Sequence, residues 1–338
     1  MKRSLFTLGT LACAMSLVLA AGGTGSAQTQ ANPGWGLDRI DQAALPLNGG
    51  FSTTSDGTGV NVYVIDGGLD ITHPDFGGRA SIVWDKFDPT GLSGTPTDHH
   101  ATVMAGIAAG AVYGVAKNAK ILGVKTYNTP DGVPAQADLI SAINFVKNDA
   151  PTRGPSVAVI STNYVDYGQT SALKNAVNAL ASSGVFVAVS AGNIIDGDDA
   201  ASSNWNACFN TPASSIGAMV VGASDDTDHV VRHSSFTSPG GGTAVWSSAY
   251  GGCVDIFAPG QYVAAPTSGG GNALEAGTSF AAPYVAGAAA LYKSKFGQTA
   301  SATVKSWLLQ QASSAIIDPP QFFAYGTTPK KLLNVSGL

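Results

Sequence analysis

Short apolar strands and helical segments alternate along this chain, and this alternation constrains its fold more than any other feature. The strand-like runs are rich in β-branched residues and almost continuously apolar, which is typical of strands buried in a sheet. They occupy residues 60–65, 121–125, 157–161, 185–189 and 219–223. Residues 137–148 and 171–182 have helical periodicity. The pattern predicts an α/β fold with a mainly parallel central sheet, right-handed crossovers and helices on both faces.

Polar residues follow two of these runs at the points where the strands end. Asp66 follows the first run, and Asn193 comes shortly after the run at 185–189. Ligands of such sheets bind outside the carboxyl ends of the strands. We therefore expect a functional site at this edge, with Asp66 and Asn193 beside it.

The first residues have the features of a secretory signal peptide. Lys2 and Arg3 precede an apolar run at residues 5–20, and small and polar residues follow as far as Ala27. The run is short for a membrane anchor, and its far side carries no charge. We predict a signal peptide at residues 1–27, a secreted protein with no later membrane segment, and a single domain at residues 28–338.

Charge and composition exclude one class of partner. The 338-residue chain carries 17 basic and 22 acidic residues, which gives a formal net charge of −5. Because a strongly basic surface is the electrostatic signature of nucleic-acid binding, nucleic acid is not expected as a partner. No Pro- or Ser-rich linker divides the domain, and the Gly- and Ser-rich residues 237–252 are predicted to form a surface loop.

A thin, buried helix is predicted towards the C-terminal end. Ser279 precedes residues 281–290, most of which are Ala or Gly. At the start of a helix, the Ser279 oxygen lies beside unpaired N–H groups and the positive end of the helix dipole. That position suits a nucleophile whose attack creates negative charge. It suits a simple helix cap equally well, since Ser is a favoured N-cap residue.

A serine nucleophile needs a base, and the base needs an orienting carboxylate. His99 and His100 precede a second run of small residues, 101–107, which predicts another buried helix near the same edge of the sheet. The order Asp66, His100, Ser279 is one of the three familiar orders for such a triad. Plainer roles stay open at this point, because Asp66 also ends a strand, Asn193 also suits a turn and His100 also suits a capped core position.

Four motifs in sequence order make the chain similar to the subtilisin-like serine proteases, in the proteinase K branch, with features of its secreted aqualysin-like members. Val-Ile-Asp-Gly-Gly at residues 64–68 resembles the aspartate motif, and His-Ala-Thr-Val-Met-Ala-Gly at 100–106 resembles the histidine motif. Ala-Gly-Asn at 191–193 resembles the oxyanion motif, and Gly-Thr-Ser-Phe-Ala-Ala-Pro at 277–283 resembles the serine motif. The similarity spans about residues 33–336. One motif alone is weak, but four in order are specific.

The resemblance implies a role for each of these residues. Ser279 attacks the scissile carbonyl, and His100 takes its proton and later gives it to the leaving amine. Asp66 holds the tautomer of His100, whereas the neighbouring His99 is expected to face solvent. The Asn193 side-chain amide and the Ser279 backbone N–H bind the oxyanion. The implied function is that of a secreted, monomeric serine endopeptidase that hydrolyses polypeptide substrates through an acyl-enzyme, with no cofactor in the chemistry.

The resemblance also implies two substrate-binding edges and a primary specificity pocket. The family usually has Ser-Leu-Gly-Gly as a pocket wall, but residues 161–164 here are Ser-Thr-Asn-Tyr. The larger side chains predict a narrowed or reshaped pocket. The opposite edge is predicted near residues 132–136, where proline cannot donate to a peptide ladder. The implied substrate-binding residues are Ser161, Thr162, Asn163, Tyr164, Ser190, Ala191, Gly192, Gly132, Val133 and Pro134.

Two further features of the family have counterparts in the sequence. Cys208 and Cys253 are the two cysteines that follow the signal; from the sequence alone they either pair or stay as buried thiols, and their similarity to an aqualysin-like pair predicts a disulfide. Residues 255–260 resemble a calcium-binding segment, which implies a structural Ca²⁺ site formed by Asp255 and the carbonyls of Ile216 and Ala218. A role for Asp255 in capping local backbone stays open.

The sequence leaves one rival to the endopeptidase interpretation open. Family members normally carry a propeptide between the signal and the catalytic domain, yet residues 32–41 resemble the start of the mature domain, so no propeptide is evident. This feature and the altered segment 161–164 would both suit a non-catalytic protein of the same fold that binds peptides or a partner. The four intact motifs favour the endopeptidase.

Overall fold

The computed structural model describes residues 26–90, 92–96, 98–128, 132–165, 171–195, 206–237, 243–317 and 327–338. The predicted signal peptide at residues 1–27 lies outside these ranges except for its last two residues. In the described part of the chain, no helix has the length and apolar character needed to cross a membrane.

Helices and strands alternate over most of the described chain. The helices are α1 (Trp35–Ile40), α2 (His100–Ala109), α3 (Gln136–Arg153), α4 (Ser171–Ser182), α5 (Thr278–Phe296) and α6 (Ser301–Gln311). The strands are β1 (Gln28–Ala31), β2 (Gly50–Thr53), β3 (Asn61–Asp66), β4 (Ala80–Asp85), β5 (Lys120–Lys125), β6 (Ser156–Ile160), β7 (Tyr164–Val165), β8 (Phe186–Ser190), β9 (Asn193–Ile195), β10 (Asn210–Thr211), β11 (Met219–Ser224), β12 (Ser234–Thr237), β13 (Thr243–Ser248), β14 (Ile256–Pro259), β15 (Val263–Thr267) and β16 (Gly271–Glu275).

Seven of the strands form one parallel sheet in the order β14-β11-β8-β6-β3-β5-β4. Helices cover both of its faces. On β3, Val62 and Val64 pack with α2 and α5, whereas Tyr63 and Ile65 pack with α3 and α4. Strands covered on both faces need apolar side chains in both directions, which explains the continuous apolar runs in the sequence. The predicted α/β fold is confirmed, and all five predicted strands lie in this sheet.

The small residues of α5 allow it to pack closely against α2. A Cβ on Gly287 would lie 2.7 Å from the Ala108 carbonyl oxygen and 2.6 Å from the Val115 side chain. All residues from Phe280 to Ser294 are buried. The small side chains of α5 are therefore needed for its close packing against α2. The buried position of the helix fixes its N-terminus at the edge of the sheet.

Residues 237–252 were predicted to form a surface loop, and this prediction is wrong for their second half. The strand β13 pairs with β12 on one side and with β9 on the other. Its Trp246 is 2% exposed and packs in the main core. The apolar residues around Trp246 outweigh the Gly- and Ser-rich composition that suggested a loop; residues 238–242 lie outside the described ranges.

The structure joins Cys208 and Cys253 in a disulfide, with a Cα–Cα distance of 5.1 Å. Cys208 lies in a short 3₁₀ turn just before β10, and Cys253 lies three residues before β14. The bond therefore ties the segment that pairs with β7 to the edge of the central sheet.

Candidate active site

An aspartate and a histidine form a hydrogen-bonded pair at the carboxyl edge of the sheet. Asp66 is the last residue of β3, and His100 is the first residue of α2. The His100 Nδ1 atom lies 3.0 Å from both carboxylate oxygens of Asp66. Asp66 is 1% exposed, whereas the His100 side chain is 28% exposed. Because Nδ1 is engaged with the carboxylate, Nε2 is the ring nitrogen left for another partner.

Several donors hold the Asp66 carboxylate in its charged form. The Gly67 N–H and the Tyr127 hydroxyl each donate to Oδ1 at 2.8 Å, and His100 is the third partner. Burial raises the pKa of Asp66, but the charge of His100 and these hydrogen bonds outweigh burial and lower that pKa. A Cβ on Gly67 would lie 2.7 Å from the Tyr127 ring, so the Asp-Gly pair allows Tyr127 to pack against the carboxylate.

The His100 ring is fixed at the start of α2. Its backbone N–H donates to Asp98 Oδ1 at 2.9 Å, which satisfies a free donor of the first helical turn. The Phe280 ring packs against the imidazole at a centroid distance of 5.4 Å. Burial lowers the pKa of His100, but the charge and hydrogen bond of Asp66, with the charges of Asp98 and Glu275, raise it above its ordinary value.

Ser279 lies at the N-terminus of α5 without acting as its cap. Gly277 occupies the N-cap position and makes no side-chain cap, and Ser279 is the second helical residue. The Ser279 N–H therefore belongs to the first turn, whose donors have no partner within the helix. Ser161 Oγ donates to the Ser279 carbonyl at 3.2 Å, which links this turn to the end of β6. Of the two roles the sequence left open for Ser279, capping is thereby excluded.

No hydrogen bond joins Ser279 to His100 in the described part of the chain, although both side chains line the same cleft. Such bonds are often long in substrate-free enzymes and tighten when substrate binds.

The orientation of the Asn193 amide follows from its partners. Its Oδ1 accepts hydrogen bonds from the Thr278 N–H at 2.9 Å and from the Thr278 hydroxyl at 2.8 Å. A backbone N–H can only donate, so the atom facing it is the amide oxygen. The Asn193 NH₂ group is therefore left for the cleft that Asn193 and Ser279 both line. Two donors, this amide and the Ser279 N–H, are thus available for an oxyanion.

Two cavities meet at these residues. The larger is a cleft of about 680 Å³, and the smaller has a volume of about 240 Å³. His100, Asn193 and Ser279 line both. The smaller cavity is otherwise apolar, with Ile195, Trp246, Ala276 and Phe280 in its wall. Ser279 therefore borders two separate spaces, the smaller of which is largely apolar.

Most of the residues implied to bind substrate line the larger cleft. Those that line it are Gly132, Val133, Ser161, Thr162, Asn163, Ser190 and Gly192. Ala191 and Pro134 are buried and do not line it; their carbonyls accept hydrogen bonds from the Asn210 amide and the Tyr164 hydroxyl respectively. Tyr164 does not line the cleft; its hydroxyl donates to the Pro134 carbonyl at 2.6 Å and so joins the two predicted substrate edges.

The Asn163 side chain lies across the wall between two neighbouring strands. Its Nδ2 donates to the Ser190 carbonyl at 3.0 Å and to Ser190 Oγ at 2.6 Å. Asn163 follows β6 and Ser190 ends β8, which are adjacent in the sheet. The amide therefore fills space in the region where the family has glycine.

Three contributors to the site were not found from the sequence. Tyr127 meets Asp66 because β3 and β5 are neighbours in register. Asp98 lines the cleft, and burial with the Asp66 charge raises its pKa. Glu275 lies 3.2 Å from His99, and their hydrogen bond raises the pKa of that histidine. His99 was expected to face solvent, but it is only partly exposed and is held by this pairing.

Comparisons with known proteins identify the family. Residues 57–330 match the sequence profile of the Subtilase family. The chain belongs to the subtilase family. The predicted resemblance is confirmed. "Alkaline serine exoprotease A" of Vibrio alginolyticus is 36% identical over 285 residues, which cover 84% of this subtilase and 48% of that protein. "Extracellular serine proteinase" of Thermus sp. (strain Rt41A) is 35% identical over 285 residues, covering 84% and 62%.

A solved structure agrees with these relatives. The crystal structure of a cold adapted subtilisin-like serine proteinase has a TM-score of 0.76 and 35% identity with this subtilase. It covers 90% of this chain, and the match extends over 98% of that chain. This subtilase spans about half the length of the Vibrio relative and 62% of the Thermus relative.

The residues expected to bind calcium do not fit that ion. The ammonium group of Lys305 donates to the Ala218 carbonyl at 2.6 Å and to Asp255 Oδ2 at 2.7 Å. Asp255 Oδ2 also accepts the Val220 N–H at 2.8 Å. Calcium needs six to eight oxygen ligands, and here a cation already occupies two of the three implied ones. The calcium site implied at Ile216, Ala218 and Asp255 stays a prediction, and the Lys305 contacts with two of its three residues argue against it.

Proposed function

We propose that this subtilase is a serine endopeptidase that cleaves polypeptides through an acyl-enzyme on Ser279. The observation that supports this most strongly is that three groups line one cleft. They are the Asp66–His100 pair, Ser279 at the start of α5 and Asn193, whose NH₂ group is left for the cleft. The names of the similar proteins, all serine proteases, agree with this chemistry.

In the proposed reaction, His100 Nε2 takes the proton of Ser279 Oγ while that oxygen attacks the scissile carbonyl. The neighbouring carboxylate of Asp66 fixes the Nδ1–H tautomer and stabilises the imidazolium that forms. The raised pKa of His100 makes it a stronger base than free imidazole. His100 then gives the proton to the leaving amine, and the ester on Ser279 remains. Water attacks this ester by the same route in the second half of the reaction.

The negative charge of each tetrahedral intermediate falls on the former carbonyl oxygen. The Asn193 NH₂ group and the Ser279 N–H are the two donors proposed to bind it. Thr278 holds the Asn193 oxygen through two hydrogen bonds, so the amide is oriented before the charge appears. Such preorganisation stabilises the transition state without reorganisation at the moment of reaction.

Cleavage within a chain, rather than at its end, is the outcome that the two cavities support. A blocked peptide with both termini capped tests this, because an exopeptidase needs a free terminus. We expect hydrolysis at an interior bond of such a peptide by the wild-type protein. If the protein binds the peptide but leaves it intact, the non-catalytic alternative replaces the endopeptidase.

We also propose that the protein is exported, with residues 1–27 removed. The strand β1 begins at Gln28, directly after the predicted cleavage point, and pairs with β2, so a chain that starts there keeps this strand. The mass of the exported protein should correspond to a chain that begins at Gln28; retention of residues 1–27 would contradict this organisation.

Replacing Asn163 with glycine should widen the primary pocket. The Asn163 amide bridges the ends of β6 and β8 and lines the cleft in which the substrate side chain is proposed to bind. We compare kcat/KM for a substrate with Phe before the scissile bond with kcat/KM for the same substrate with Ala there. We expect this Phe-to-Ala ratio to be at least about tenfold higher in the variant than in the wild type, since room for one further methylene group can change kcat/KM by this factor. The Ala substrate measured on the same variant is the control. An unchanged Phe-to-Ala ratio would show that Asn163 does not set the pocket size.

A further inference from the structure

A lysine on α6 reaches the amino ends of two neighbouring sheet strands. Ala218 directly precedes β11 and Asp255 directly precedes β14, and these strands are parallel neighbours. The ammonium of Lys305 binds the carbonyl of the first and the carboxylate of the second, at 2.6 and 2.7 Å. Its position is thus fixed by two oxygen atoms from separate strands.

The positive charge at this site is that of the Lys305 ammonium. The Asp255 carboxylate and the Lys305 ammonium balance each other, and both side chains are about one-fifth exposed. A divalent ion bound to these two oxygens would lie next to the Lys305 ammonium, which already binds both of them. The repulsion between the two positive charges would oppose binding of the ion. Ile216, the third residue implied as a calcium ligand, is 87% exposed and accepts no hydrogen bond from Lys305 among those of the described residues. In the described part of the chain, no group of three or more His, Cys, Asp or Glu side chains is placed to hold a metal ion.

The same device recurs elsewhere in the fold. The ammonium of Lys293 is buried and donates to the carbonyls of Gly184 and Thr299 at 2.6 and 3.1 Å. Lys125 donates to the Thr95 carbonyl at 2.9 Å. These lysines donate to main-chain oxygens of residues outside their own helix or strand, two for Lys293 and one for Lys125.

We infer that the Lys305 ammonium is the resident cation of the Asp255 site, and that this site stabilises the fold without a divalent ion. Lys305 joins α6 to the sheet edge through a fixed intramolecular charge, whereas a metal would have to be bound from solution. The inference concerns stability, so it stands or falls independently of the proposed peptidase activity.

Thermal unfolding of the full chain tests this inference. Lys305→Met keeps the aliphatic stem but removes the charge, and we expect its Tm to fall by about 3–6 °C because Asp255 loses its partner. Lys330→Met is the matched control at an exposed lysine and should shift Tm by less than about 1 °C. In the double variant Lys305→Met/Asp255→Asn, the loss should be smaller than the sum of the single losses, because the two side chains act as a pair. An unchanged or raised Tm for Lys305→Met, or fully additive losses, would overturn the inference.

A chelator decides whether calcium takes part. The Tm of the wild type and of Asp255→Asn is measured in excess EDTA and in excess calcium chloride. We expect the shift between the two buffers to be the same in both proteins, because no calcium binds at Asp255. If EDTA lowers the Tm of the wild type but not that of Asp255→Asn, then calcium occupies the site and the inference is wrong.

Discussion

Replacing Ser279 with alanine should lower kcat by about 10⁵–10⁶-fold, the size of effect seen when a serine protease loses its nucleophile. The reason is structural, because Ser279 lines the same cleft as the Asp66–His100 pair and the Asn193 amide. Substrate affinity and Tm should stay close to the wild-type values, since Ser279 does not cap α5 and its side chain makes no hydrogen bond to another described residue. Steady-state kinetics on a peptide substrate, together with thermal unfolding, would measure both quantities.

Non-additivity provides the control for this result. Residues that act as one unit cannot lose more than the unit contributes, so Ser279→Ala/His100→Ala should be about as slow as either single variant. The residual rate should still exceed that of the uncatalysed reaction, because the oxyanion donors remain. Independent losses that multiply in the double variant would mean that His100 does not act through Ser279.

The replacement of Asp66 by asparagine should lower kcat by about 10⁴-fold. Asparagine keeps the size of the side chain, but its NH₂ group faces Nδ1 and favours the wrong tautomer of His100.

In the wild type, His100 must be neutral to act as a base and its pKa is raised, so activity should rise with pH through an apparent pKa above 6.5. Without the Asp66 charge, only the charges of Asp98 and Glu275 still raise the pKa of His100, while burial continues to lower it. In Asp66→Asn, activity should therefore begin to rise at a lower pH than in the wild type.

Asp98→Asn is the matched control for this variant. It removes a second carboxylate from the same cleft but keeps the oxygen that accepts the His100 N–H. Its kcat should fall by less than about tenfold, because Asp98 does not contact the imidazole nitrogens. Equal losses in the two variants would assign the effect to the charge of the cleft rather than to the orientation of His100.

The central strands and the positions of the four candidate site residues were predictable from the sequence for a common physical reason. A strand covered on both faces must be apolar throughout, and residues at its carboxyl end then face the site directly. Asp66 and Asn193 lie at or just beyond such strand ends, and His100 and Ser279 begin buried helices made of small residues. In each case the local sequence contains the information that determines the position.

The edges of the structure were not predictable in this way. The strand β4 is buried at only some positions, because it lies at the edge of the sheet, so its sequence lacks the continuous apolar run of a central strand. Tyr127 contacts Asp66 from 61 residues further along the chain, and Lys305 contacts Asp255 across 50 residues. Nothing near Asp255 in the sequence indicates a lysine, so the local segment was interpreted as a calcium site. Contacts of this kind depend on how elements pack, which a local pattern does not specify.

Covalent labelling tests most directly the central claim that Ser279 is an activated nucleophile. The wild-type protein is treated with an active-site serine phosphonate, and the adduct is located by mass spectrometry of the intact chain and of its peptides. We expect one adduct for each molecule, on Ser279, with loss of peptidase activity, and no adduct in Ser279→Ala. A wild-type protein that stays unlabelled, or a label that persists in Ser279→Ala, would contradict the proposed role of Ser279.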